Sequence, residues 1–178
     1  MKMIKNQSGF TLVEMLIVVI VLGILAMIVV PQVAVSTEDT KLKALQTNLS
    51  SMRGAIELYY AQHNQTYPGA KKDTDGTAVT TAGEAATAFL KQLTQYTDAN
   101  GVVSATKSST YKYGPYIKGG NLPTNPMNNN SNVLCDIATT DITTRTQSGT
   151  ESWKFFTSTG VLIANDGGTT DGTVHANL

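Results

Sequence analysis

A single cysteine, Cys135, excludes an intrachain disulfide. The two readings of such a residue are a small buried position on a strand, or a reactive or intermolecular thiol. The first is favoured, because free cysteine is among the most buried residue types. There are only two histidines, His63 and His175, and neither stands at metal-ligand spacing to the other or to Cys135. No phosphate loop, nucleophile elbow or dinucleotide fingerprint is present, and no spacing favours a hydrolytic triad, so no enzyme is expected. Charged residues are only 15% of the chain and the formal net charge is zero, which gives no electrostatic footprint for nucleic acid or an anionic surface.

What the chain does have is one long apolar run. Residues 10–30 (FTLVEMLIVVIVLGILAMIVV) contain only two clearly polar side chains, Thr11 and Glu14. As a helix the run is roughly 31 Å long, the thickness of a bilayer's hydrocarbon layer. Lys2 and Lys5 precede it and no basic residue follows until Lys41. By the positive-inside rule the N-terminus is cytoplasmic and the remainder lies across the membrane. Ala34-Val35-Ser36 offers a weak signal-peptide cleavage site. Against it, the run is too long for a signal peptide, it contains Glu14, and the helical pattern continues past Ser36. An acid inside such a run costs about 2.5–3.5 kcal/mol on insertion scales, and a plain anchor gives no reason for it.

The stretch Ser8-Gly9-Phe10-Thr11-Leu12-Val13-Glu14 resembles the processing site of type IV prepilins and of the pseudopilins of type II secretion. The resemblance implies that a prepilin peptidase cuts between Gly9 and Phe10 and methylates the new N-terminus at Phe10. Residues 1–9 are then a leader peptide, 10–30 a transmembrane and assembly helix, and 31–178 a periplasmic domain. Gly23 and Pro31 match family positions where the helix is locally weakened. Cleavage leaves a positive amine at Phe10, with Glu14 one helical turn away. The Glu14 carboxylate can then reach the amine of a neighbouring copy, and such a pair is satisfied only in one axial register.

The helical pattern resumes beyond Pro31. Leu42, Leu45, Leu49, Met52, Ile56 and Tyr59 recur at spacings of 3 and 4, which predicts one helix from 10 to about 63 with an apolar stripe. Tyr67-Pro68-Gly69 breaks it. Residues 70–81 read as a loop and 84–96 as a short second helix ended by Asp98-Ala99-Asn100-Gly101. Leu122-Pro123-Thr124-Asn125-Pro126 reads as an ordered turn. Strands are expected at 153–157 and 161–165, joined by Ser158-Thr159-Gly160, and a weaker one at 133–137. Trp153, Phe155, Val161 and Ile163 are expected to pack on Tyr59 and Ile56. The segments around Tyr59-Tyr60, Tyr67-Pro68, Gly114-Pro115-Tyr116 and the last hairpin are similar to the G-type, or major, pseudopilins. The implied fold is α+β, a pilin fold in which a long N-terminal helix packs on a small antiparallel sheet, with a short helix in the connection.

The tail Asn165-Asp166-Gly167-Gly168-Thr169-Thr170-Asp171-Gly172 reads first as a mobile, glycine-rich terminus. The resemblance implies a calcium site here, with Asp166 and Asp171 as the candidate ligands and Ca²⁺ as the one candidate cofactor. As function, it implies a non-enzymatic subunit in the bacterial inner membrane that self-associates into a filament. The implied partners are the prepilin peptidase, the secretion platform protein, minor pseudopilins and the outer-membrane secretin. Two alternatives stay open: a type IV pilin for adhesion or motility, and a membrane-anchored binding or enzymatic domain that shares the leader.

Overall fold

The computed structural model describes residues 10–141, 143 and 146–178, and the side chains of 28–36 lie outside that description. The expected leader, with Lys2, Lys5, Ser8 and Gly9, also lies outside it. The chain divides into two compact units, Met1–Thr40 and Lys41–Leu178, and the boundary falls within the first helix, α1 (Leu12–Gln62). Helical backbone continues through Gly23 and Pro31.

Among the described residues, no helix is long and apolar enough to cross a membrane. The last three residues of the apolar run, 28–30, are among those whose side chains are not described.

In the second unit the stripe predicted for α1 is the core. Leu45, Leu49, Met52, Ile56 and Tyr59 are buried, and they pack with Phe89, Leu93, Trp153, Phe155 and Leu162. The helix unwinds where Asn64 and Gln65 take left-handed conformations, φ 52° and 58°. The second helix, α2 (Ala82–Thr94), starts from a capping box in which Thr81 and Glu84 satisfy each other's backbone N–H. It ends two residues before the expected Tyr96. Tyr96–Thr97 instead forms strand β1, antiparallel to β2 (Val103–Ser104). Asp98 closes that turn by accepting from the N–H of Asn100 and of Val102.

The main sheet has three strands, β3 (Val133–Asp136), β4 (Trp153–Phe156) and β5 (Val161–Ala164), in that order. The β4–β5 pair is the expected hairpin. Gly160 is held at φ +74°, and a Cβ there would sit 2.2 Å from the Tyr67 ring, so only glycine fits. The sheet is mixed, not wholly antiparallel, because β3 pairs parallel to β4. The connection 137–152 is long enough to carry the chain back and start β4 in the same direction as β3, which a hairpin cannot do.

The expected core face is corrected at β5. Register pairs Phe155 with Leu162 and Trp153 with Ala164, so those four share the face toward α1. Val161 and Ile163 point to the other face, where they pack with Phe156 and Ala176. The alternation of a strand forces this once Phe155 faces inward.

Cys135 is buried on β3, where the sequence reading places it, and burial pushes its thiol up to about 12. Thiol reagents are expected to leave the folded chain unmodified at neutral pH and to label one thiol in denaturant; fast labelling of the native chain would contradict this burial. The shift also fixes a sign. Above the ordinary thiol range the unfolded chain ionises first, so this group takes stability away as pH rises toward 12.

Candidate functional site

The N-terminal turn of α1 is built by one short pattern, Thr11-Leu12-Val13-Glu14. The Thr11 N–H and hydroxyl donate to Glu14 Oε2 at 2.7 and 2.8 Å, and the Glu14 N–H donates to Thr11 Oγ1 at 3.2 Å. This is a reciprocal capping box, with Glu14 at the third helical position, and it satisfies two N–H groups that a helix start leaves without partners. The T-x-x-E spacing that signals it is visible in the sequence, but the reading above assigned Glu14 only to a partner in another copy.

Everything around this box is apolar and outward-facing. Phe10 and Leu12 are 80% and 84% exposed, and the side chains from Val13 to Met27 are exposed on every side of the helix. A helix that is apolar all round has no water-stable resting place; it requires lipid or other apolar surface. Gly23 sits in that stretch with nothing within 4 Å of where a Cβ would be. The side chain of Pro31 lies outside the described residues. The Glu14 carboxylate is therefore held at a helix N-terminus, where the dipole favours negative charge, inside a collar of exposed hydrophobic groups. Oε2 is committed to Thr11. The group remains exposed and able to accept from a cation brought alongside.

The second candidate region is the tail, and its structure differs from a mobile terminus. Thr169–Thr170 and Thr173–Val174 form strands β6 and β7, paired antiparallel, followed by a 3-10 turn at His175–Asn177. Asp171 and Gly172 are the two turn residues, at φ 48° and 75°, which is the geometry of a type I′ hairpin and the reason for Asp-Gly there. Asp171 is exposed at the turn.

Asp166 is occupied elsewhere. Its Oδ1 accepts from the Gly168 N–H at 2.8 Å and lies 2.7 Å from His175 Nδ1, and its Oδ2 accepts from Asn125 Nδ2 at 2.8 Å. Burial pushes the Asp166 carboxyl up, but the bonds from Asn125, His175 and Gly168 outweigh it and hold the group below its ordinary value. Calcium asks for six to eight oxygen donors around it. Here the one buried candidate carboxylate faces nitrogen donors and the other candidate is a turn residue. Among the described residues no group of three or more His, Cys, Asp or Glu stands together. The donor set does not fit the expected calcium site.

Two buried polar residues escaped the sequence reading. Asn125, within the predicted proline-flanked turn, ties that turn to Ser152 and Asp166. Gln92, fully buried on α2, ties the loop that follows α1, at Gly69 and Lys71, to the β1–β2 turn at Gly101. The signal for Gln92 was its place at the seventh position after Ala85, on the apolar stripe Ala85, Ala88, Phe89, Leu93.

The prokaryotic N-terminal methylation motif matches residues 4–30. Three curated relatives are each named type II secretion system core protein G. The Vibrio cholerae protein is 29% identical over 93% of this chain and 95% of its own length. The Aeromonas hydrophila protein is 27% identical over 73% of this chain and 74% of its own length. The Pseudomonas aeruginosa protein is 37% identical over 68 residues, 38% of this chain and 47% of its own length. The match thus spans nearly all of the first relative and about half of the last. No solved structure matches the chain significantly.

Proposed function

We propose that this chain, a type IV pilin-like protein similar to core protein G of type II secretion, is a structural subunit of a secretion pseudopilus. Prepilin peptidase removes residues 1–9 and methylates Phe10. The mature chain waits in the inner membrane as a single-pass protein, with its N-terminus cytoplasmic and residues beyond the apolar run in the periplasm. It performs no catalysis. Its work is to stack with copies of itself into a filament, together with minor pseudopilins, on the platform protein and toward the outer-membrane secretin, so that folded substrates are driven out.

The observation that carries this reading is the single carboxylate of Glu14 at the head of a helical stretch, Leu12 to Met27, that is otherwise apolar and exposed on all sides. Such a surface demands like surfaces or lipid, and such a carboxylate demands a cation at the same depth. The new amine of a neighbouring Phe10 is the cation that processing creates. Mass spectrometry of the protein from a host with the peptidase is expected to find a chain of 169 residues (178 − 9) beginning with methylated Phe10. An intact Met1, or an unmodified N-terminus elsewhere, contradicts the reading.

A further inference from the structure

The buried polar groups behind the last hairpin form one connected set. Asn125, Ser152, Asn165 and His175 are all buried. Asp166 stands at the centre, bonded to Asn125, to the Gly168 N–H and to His175 Nδ1. The other ring nitrogen of His175 lies 2.9 Å from Thr170 Oγ1, and the His175 N–H donates to the Gly168 carbonyl at 3.1 Å. One histidine therefore joins both strands of the hairpin to the end of β5.

The backbone is shaped around this contact. A Cβ on Gly168 would lie 2.7 Å from His175 Nδ1 and Cε1 and 2.8 Å from Asp166 Oδ1. Only glycine lets the imidazole and carboxylate meet there. Beyond the turn, Arg53 of α1 donates to the Leu162 and Leu178 carbonyls, pinning the far side of the same segment.

We propose that a hydrogen-bonded clasp of Asn125, Asp166, Gly168 and His175 holds the C-terminal loop in the place where the family resemblance implies a calcium ion, and that the fold of this chain is independent of calcium. The imidazole N–H and the carboxamide N–H supply the positive ends that a cation would otherwise supply to the Asp166 carboxylate. A metal would have to displace three donors already at hydrogen-bond distance. The inference concerns the loop alone and stands or falls separately from filament assembly.

The test uses the full chain in detergent, with unfolding followed by the fluorescence of its one tryptophan, Trp153. Melting curves of the unsubstituted chain are expected to superimpose in calcium and in the chelator EGTA. A calcium-dependent rise in Tm overturns the proposal. His175→Ala and Asp166→Ala are each expected to lower Tm and to speed proteolytic clipping within 166–178 on the order of tenfold, what one buried hydrogen bond is worth. Combining the two is expected to cost less than the sum of the single effects, because the Asp166–His175 contact is lost in both. Fully additive effects overturn the proposal. Gly168→Ala is the second probe, expected to reproduce the faster clipping through crowding alone; native-like clipping there counts against the clasp. If the alanine variants do not accumulate, the calcium comparison on the unsubstituted chain and Gly168→Ala still decide.

Discussion

Glu14→Gln is expected to leave the protein in the membrane and stop it forming filaments. The substitution is chosen because it separates two jobs of the side chain. Glutamine at this position still completes a capping box with Thr11, so the helix start is preserved. Insertion does not suffer, since a neutral amide costs less in lipid than the acid does, at about 2.5–3.5 kcal/mol. What is lost is the negative charge. In a filament that loss leaves the Phe10 amine of the adjoining copy in an apolar setting without its counter-ion. Stranding one partner of a buried pair costs about 3–5 kcal/mol, or on the order of several hundredfold in the docking equilibrium. Membrane flotation with immunoblotting of sheared filaments measures both halves. Normal membrane content with filament yield reduced to background is the expected result. Wild-type filament yield shows that the charge has no part in docking.

The capping box gives this result a physical sequence. The carboxylate is satisfied by its own helix, and on the proposed reading it also serves a neighbour in the filament. The two states differ by which donor faces Glu14, a geometry that favours a fixed register over a sliding apolar contact. An apolar helix alone, with Leu, Ile and Val on every side, has no feature that would prefer one offset of its partner over the next.

How much of this was legible in the residues depends on the range of the interaction involved. The α1 stripe from Leu45 to Tyr59 was legible because helical period is a local property. So was the β4–β5 hairpin, marked by Gly160 between alternating runs. The face of β5 was misassigned because Val161 and Ile163 alternate just as Leu162 and Ala164 do. Only the register against Phe155 decides between them. The parallel start of β3 depends on the path of 137–152, which no local pattern encodes. The tail was misread for a different reason: Thr-Thr-Asp-Gly-Thr-Val is a hairpin signal, but glycine content masked it. In the candidate site, Gly9, Phe10 and Glu14 were named from the motif, and the methylation-motif match spans all three. The pairing of Asp166 with His175 spans nine residues of turn and could be seen only once the turn was built.

Gln92→Leu is expected to be the most damaging conservative change in the globular unit. Leucine matches the apolar stripe of α2 and would ordinarily suit a fully buried position. Here the amide joins two loops through three hydrogen bonds. Its Oε1 accepts from the Gly69 N–H at 2.8 Å, and its Nε2 donates to the Lys71 carbonyl at 3.0 Å and the Gly101 carbonyl at 2.8 Å. Packing at Gly101 is close, since an added Cβ there would come within 2.6 Å of the Tyr59 hydroxyl. Each buried group left without a partner costs about 1–3 kcal/mol, so the loss should reach about 3 kcal/mol and Tm should fall on the order of 10 °C. Tryptophan fluorescence melts measure it, and a change of a degree or two would show that the loops are held by their own backbone. Gln92→Glu sharpens the test. At neutral pH a carboxylate would face two carbonyl oxygens and the damage should match or exceed that of leucine. On acidification the protonated form regains one donor. Part of the lost stability should then return, whereas Gln92→Leu should recover nothing.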